Sequence, residues 1–74
     1  MKSTQIHRDT VGAVTVSTVF VEGKDYEYFE TALIEKGEHR VVDWGISIDN
    51  PIEADAVHAT WVTTAYKALR YQER

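Results

Sequence analysis

The chain has 74 residues, a formal net charge of −4 and no cysteine. This length accommodates a single domain, and the absence of cysteine excludes a disulfide framework and a thiolate zinc site. No segment approaches the ~20 apolar residues of a membrane span, and Met1-Lys2-Ser3 lacks the apolar core of a signal peptide. The sequence therefore predicts one domain over residues 1–74 in the cytoplasm, with no membrane anchor.

The charge is unevenly distributed along the chain. Residues 22–55 carry ten acidic and three basic side chains, a formal charge of −7, whereas the flanking segments 1–21 and 56–74 carry +1 and +2. Proteins that bind a phosphate backbone normally present a basic stripe. The acidic middle of the chain argues against a nucleic-acid partner, and solvated turns and strand faces are its simplest explanation.

The small size of the chain bears on its oligomeric state. A domain of this length buries only about 60% of the surface that its unfolded chain exposes, so its stability as a monomer is marginal. Cross-links through cysteine are not available. We therefore expect the missing stabilisation to come from a second copy of the chain, in a homodimer.

The first half of the chain has the composition of strands. Residues 1–9 are polar and aperiodic, which predicts a flexible lead-in. Residues 11–21 are rich in valine and threonine and predict the first strand, although the alternation of apolar side chains is imperfect. Either a bulge near Ser17-Thr18 or burial on both faces explains the imperfection.

Two further strands are predicted over residues 26–35 and 39–48, joined by the charged hairpin loop Lys36-Gly37-Glu38. The second of these has the most regular period of two in the chain, with Arg40, Val42, Trp44, Ile46 and Ile48 on one side. We expect the row that contains Trp44 to face the helix.

Residues 49–74 predict one long amphipathic helix. Asn50 is a favourable N-cap, Pro51 suits the first helical position, and Glu53 completes a capping-box pattern. One stripe of the helix holds the side chains suited to burial, namely Ala54, Val57, His58, Trp61, Val62, Ala65, Ala68 and Leu69. The predicted fold is α+β, a three-stranded antiparallel meander followed by a C-terminal helix on one sheet face (βββα).

Three short motifs resemble a known family. Val16-Ser17-Thr18-Val19-Phe20, Phe29-Glu30-Thr31, and the trio Ala54, His58 and Val62 at intervals of four residues are similar to a family of short uncharacterised proteins from phages of actinobacteria. The resemblance implies a phage accessory protein. No particular activity follows from it.

His58 is the most prominent candidate for chemistry, because it is an ionisable side chain within an apolar stripe. One interpretation is a packed histidine that is hydrogen-bonded to a strand hydroxyl or carboxylate such as Thr31 or Glu30. The other is a ligand-binding residue in a pocket shared with Trp44. Positions four residues away are Ala54 and Val62, so the helix supplies no second metal ligand. No nucleophile or phosphate-binding motif is present, and we predict no catalytic residue, metal ligand or cofactor.

Two surfaces are candidates for binding a partner. The outward side of the helix carries small and polar side chains that allow close approach, at Ala56, Ala59, Thr63, Tyr66 and Arg70. The sheet face away from the helix would expose apolar side chains at Tyr28, Ile34 and Val41.

These features leave two functional hypotheses open. The first is a non-catalytic interaction module, a small phage-type protein that binds and modulates a host or defence protein. The second is a small-ligand binder or enzyme, for example one that takes a nucleotide signal, with its pocket at a dimer interface.

Overall fold

The computed structural model describes residues 2–46 and 50–72, which form four strands followed by one helix. The strands are β1 (Lys2–Val11), β2 (Val14–Glu22), β3 (Glu27–Glu35) and β4 (Glu38–Ile46), and the helix is α1 (Pro51–Gln72). The strands pair antiparallel in the order β1-β2-β3-β4. The helix packs against one face of this sheet, where it contacts all four strands. The predicted α+β class, antiparallel sheet and C-terminal helix are confirmed.

The predicted count of three strands is wrong, because the segment assigned to a lead-in forms β1. Its pairing with β2 skips Ile6, so a bulge separates Gln5 from His7. The bulge shifts the side-chain alternation by one residue, which removes the period of two that would mark a strand in the sequence. β1 is also an edge strand with mostly exposed side chains, so its composition is polar.

β2 lies in the centre of the sheet and is buried on both faces. Its register with β3 runs without interruption from Val14 to Glu22, so no bulge occurs at Ser17-Thr18. Val16 and Thr18 are 0% exposed on the helix side, while Ser17 and Val21 are buried on the other side. Burial on both faces therefore explains the imperfect alternation of this segment.

β4 departs from the regular alternation predicted for it. Thr31 pairs with Asp43 but Ala32 pairs with Val41, and Glu30 pairs with Trp44. Val42 and Gly45 are thus bulged out of the ladder, and Gly45 has a φ of 85°. Each bulge reverses the side chains that follow it, so Trp44 lies on the face away from the helix. The prediction that its row faces the helix is wrong; Ile48 lies outside the described residues.

The turn between β3 and β4 is tighter than the predicted three-residue loop. Glu35 pairs with Glu38, which leaves Lys36 and Gly37 as a two-residue connection. Both residues have positive φ, 54° and 82°, as a type I′ turn requires.

The helix begins as the sequence predicts. The Asn50 side chain accepts a hydrogen bond from the Glu53 backbone N–H at 3.2 Å and donates one to the Glu53 carboxylate at 2.6 Å. Of the predicted apolar stripe, Ala54 and His58 are fully buried, whereas Trp61 and Leu69 are half-buried and Ala68 is exposed. The helix therefore packs closely in its first half and more loosely in its second. Asp49 and residues 73–74 lie outside the described residues.

The core under the helix is partly polar. Val16, Thr18 and Thr31 are its largest fully buried side chains, and Phe29 and Ala54 are buried as well. Within residues 2–46 and 50–72, every buried side-chain nitrogen and oxygen has a hydrogen-bond partner. No helix in this part of the chain has the length and apolar composition needed to cross a membrane.

Candidate functional site

Two histidine–aspartate pairs join the edge strand β1 to the helix. His58 Nε2 lies 2.7 Å from Asp9 Oδ2, and His7 Nε2 lies 2.5 Å from Asp55 Oδ1. The rings of His7 and His58 are 5.2 Å apart between centroids. The pairs meet because β1 presents residues 7 and 9 on its helix side, while positions 55 and 58 are one turn apart on α1. We call these four residues the His–Asp cluster.

The His–Asp cluster continues inward as a chain of hydroxyl groups. His58 Nδ1 lies 2.7 Å from Thr18 Oγ1, which lies 2.8 Å from Thr31 Oγ1. An ionised Asp9 carboxylate accepts only, so His58 Nε2 carries the proton that it donates. In the neutral imidazole Nδ1 then accepts from Thr18, and Thr18 accepts from Thr31. Every group in the chain is thereby satisfied, so His58 is held in one orientation.

The hydrogen-bonded series from Asp9 through His58 to Thr18 and Thr31 does not have a geometry that suits nucleophilic catalysis. A carboxylate, an imidazole and a hydroxyl in line resemble a catalytic triad in their order. However, Thr18 is 0% exposed and Thr31 is 1% exposed, so no substrate reaches either hydroxyl. The exposed member is the carboxylate of Asp9, with 57% of its side chain accessible. This order places the hydroxyl groups at the buried end of the series. The hydrogen bonds therefore serve to hold the helix on the sheet.

The outer side of the His–Asp cluster opens to solvent. A shallow depression of about 470 Å³ lies over it, and its remaining wall is formed by Ala59, Val62 and Thr63 of the helix. Among the described residues, no group of three or more His, Cys, Asp or Glu side chains has an arrangement that could hold a metal ion. Instead, the imidazole of His7 is oriented toward Asp55 and the imidazole of His58 toward Asp9.

The second candidate region is the sheet face away from the helix, which we call the open face. Thr18 and Thr31 face the helix, so their neighbours along β2 and β3 face the opposite way. Its apolar side chains come from the three strands β2, β3 and β4: Val19, Val21, Tyr28, Ala32, Ile34, Val41 and Trp44. The predicted residues Tyr28, Ile34 and Val41 are therefore brought together on one surface.

Aromatic rings dominate one end of the open face. Tyr28 contacts Trp44 edge-on with centroids 6.4 Å apart, and it stacks on Tyr26 at 6.0 Å. Trp44 is 71% exposed, Tyr26 is 50% exposed, and Val41 is 41% exposed. Rings this exposed leave a large apolar area in water, which is characteristic of a binding surface. Charge on this face is sparse and partly compensated, since His39 lies 4.0 Å from Glu30.

The outward side of the helix is a smoother surface. The predicted residues there are all exposed: Ala56, Ala59, Thr63, Tyr66 and Arg70. Thr60 donates a hydrogen bond to the Ala56 carbonyl oxygen at 2.9 Å, so its hydroxyl is occupied within the helix. We call this surface the outer helix face.

The proposed pocket of His58 and Trp44 is not formed within one chain, because the two side chains lie on opposite sides of the sheet. The interpretation of His58 as a packed histidine is supported. Its partners are a strand hydroxyl and a strand carboxylate, as expected, but they belong to Thr18 and Asp9 and not to the examples Thr31 and Glu30. Sequence reasoning missed Asp9, His7 and Asp55. The available signal was their spacing. His7 and Asp9 are two residues apart, as for one side of a strand, and Asp55 and His58 are three residues apart, as for one side of a helix.

Comparison of the chain with family models, with curated proteins and with solved structures found no match. These comparisons therefore assign no role to the open face or to the His–Asp cluster. What each surface can do follows from its own chemistry.

Proposed function

We propose that this chain is a non-catalytic interaction module that self-associates through its open face. The observation that carries the proposal is the exposed ring cluster of Tyr26, Tyr28 and Trp44, which continues into Val41 and Ile34. Tyrosine and tryptophan are enriched at the centres of protein interfaces because they bury a large area with few rotatable bonds. The buried hydroxyls beside His58 support a role without catalysis.

A second copy of the chain is the occupant that fits the open face. Four strands of about nine residues give a face of roughly 19 Å by 30 Å, or about 570 Å². Two such faces packed together bury about 1,100 Å², near the lower limit for a specific interface. Sheets pack face to face as in a β-sandwich, and a two-fold axis places the same patch on both sides. The pairing also supplies the apolar burial that a 74-residue monomer lacks.

The same arrangement leaves a surface for a foreign protein. In a dimer formed through the open face, both outer helix faces point away from the interface and remain accessible. The small side chains of Ala56, Ala59 and Thr63 allow close approach of another backbone, and Tyr66 and Arg70 supply the residue types that anchor interfaces. We assign the outer helix face to the protein that the module modulates.

The biological setting is inferred from the sequence motifs. Val16-Ser17-Thr18-Val19-Phe20, Phe29-Glu30-Thr31 and the Ala54–His58–Val62 spacing resemble short proteins from phages of actinobacteria. The proposed role is accordingly that of a phage accessory protein in the cytoplasm of the host, where it binds and modulates a host or defence protein.

Sedimentation equilibrium at micromolar concentration tests the proposal. We expect the mass of a dimer, twice the 8.4 kDa of one chain. Trp44→Ser removes the largest exposed ring of the open face and should weaken association by at least about tenfold, as expected of an interface hot spot.

Ile52→Ser is the matched control, because Ile52 is 79% exposed but lies on the helix. It should leave the dimer unchanged. A wild-type chain that is monomeric across the concentration range contradicts the proposal. Dissociation caused by Ile52→Ser and not by Trp44→Ser would place the interface on the helix instead.

A further inference from the structure

A cleft lies between the second half of the helix and the sheet, on the side opposite to the open face. Its volume is about 270 Å³. The floor is formed by Val14 and Leu33 of the sheet, and the roof by Trp61, Ala65 and Leu69 of the helix. Ala65 and Ala68 line the cleft beside Trp61 and Leu69, and this second half of α1 is less buried than the first half.

Two charged side chains stand at the mouth of the cleft. Arg40 lies directly opposite Leu33, and Glu35 is two residues beyond Leu33 on the same face of β3. Diagonal neighbours of this kind are separated by roughly 7–8 Å between backbones. Neither side chain makes an ion pair or a hydrogen bond with any of the described residues. An unpaired cation and an unpaired anion therefore face the same apolar cavity.

We propose that the cleft is a binding site for a free amino acid with a hydrophobic side chain. Arg40 would bind the α-carboxylate, because a guanidinium presents paired donors that match a carboxylate. Glu35 would accept hydrogen bonds from the α-ammonium group. The apolar side chain would occupy the space between Leu33, Trp61 and Leu69.

The charges and the size of the cleft select this class of ligand. A ligand with only a carboxylate would leave Glu35 without a partner. A ligand with only an amine would leave Arg40 without a partner. A zwitterion satisfies both, and only a compact one brings its two charges close enough to lie between diagonal neighbours. The volume of about 270 Å³ lies just below the usual range for ligand pockets, which favours a small ligand over a nucleotide.

The site is independent of the proposed dimer. The cleft lies on the helix side of the sheet, so a partner packed on the open face does not cover it. A monomeric chain would contradict the proposed dimer but not the amino-acid site. A chain that binds no amino acid would contradict the site but not the dimer.

Titration by ¹H–¹⁵N NMR tests the site with three probes that share one apolar group: L-phenylalanine, 3-phenylpropanoate and 2-phenylethylamine. We expect L-phenylalanine to shift the amide resonances of Leu33, Trp61 and Ala65, and to bind at least about tenfold more tightly than the other two. Glu35→Gln should abolish the advantage of L-phenylalanine over 3-phenylpropanoate. Arg40→Gln should abolish its advantage over 2-phenylethylamine.

Ala65→Leu fills the cleft without changing its charges, and should remove binding of all three probes. The two charge variants alter exposed side chains, so each should keep the wild-type spectrum outside the cleft. Equal affinity for the three probes would overturn the proposal, because the charged pair would then play no part. The absence of shifts in the cleft with L-phenylalanine would overturn it as well.

Discussion

At the scale of single residues, His58 shows how a polar side chain becomes part of a core. It is 5% exposed and hydrogen-bonded at both ring nitrogens, to Thr18 and to Asp9. Removing one partner from such a network leaves a buried polar group without a partner. The histidine is therefore best understood as a bridge between the helix and two strands.

We expect His58→Gln to lower the free energy of unfolding by about 1–3 kcal/mol, since glutamine cannot reproduce both hydrogen bonds. Urea denaturation at a fixed protein concentration measures the change. Lys67→Gln is the control, because Lys67 is exposed on the helix and lies outside the open face. This control should change stability by less than about 0.5 kcal/mol.

The same two variants separate a structural role of His58 from a functional one. Dimer formation and binding at the cleft should be retained in His58→Gln at temperatures where it is folded. Unchanged stability together with lost association would show that His58 acts in binding.

At the scale of elements, the helix was predictable and the edges of the sheet were not. The start of α1 carries strong local signals, in Asn50, Pro51 and Glu53, and the structure shows the predicted cap. β1 gave no such signal, because an exposed edge strand needs no apolar alternation and its bulge at Ile6 breaks the period. Its pairing depends on β2, which is a tertiary effect.

β4 shows the opposite failure, in which a clear pattern was misleading. The period of two from Arg40 to Trp44 predicts one row of side chains, but the bulges at Val42 and Gly45 interrupt it. Glycine within a strand pattern often marks a bulge, and Gly45 was the available warning. The open-face residues Tyr28, Ile34 and Val41 were nevertheless grouped correctly, because the bulges lie beyond Val41 in the chain.

The bulge at Gly45 requires a positive φ at this residue, and substitutions test that requirement. A Cβ there would meet no atom within 4 Å, but the φ of 85° disfavours residues with a Cβ. We expect Gly45→Ala to cost about 1–2 kcal/mol of stability through backbone strain alone. Gly45→Asn should cost less, since asparagine tolerates this region better.

Thermal or urea unfolding of both variants measures the difference. Equal losses for alanine and asparagine would indicate a steric cause. No loss in either variant would mean that the backbone at this position adopts a φ that residues with a Cβ accept, and would contradict the bulge at Gly45.

At the scale of the whole molecule, the two sides of the sheet differ in what covers them. The helix side is closed in its first half by the His–Asp cluster and retains a cleft in its second half. The open face concentrates the exposed aromatic area of the sheet around Trp44. The proposed self-association on the open face would cover these rings and would leave both the cleft and the outer helix face accessible.

Isotope-filtered NOE spectroscopy on an equal mixture of ¹³C,¹⁵N-labelled and unlabelled chain tests this arrangement most directly. We predict intermolecular contacts from the methyl groups of Ile34 and Val41 to the rings of Tyr28 and Trp44 in the other copy. Intermolecular contacts confined to Ala59 and Thr63 on the outer helix face, or none at all at millimolar concentration, would contradict the assignment of the open face as the interface.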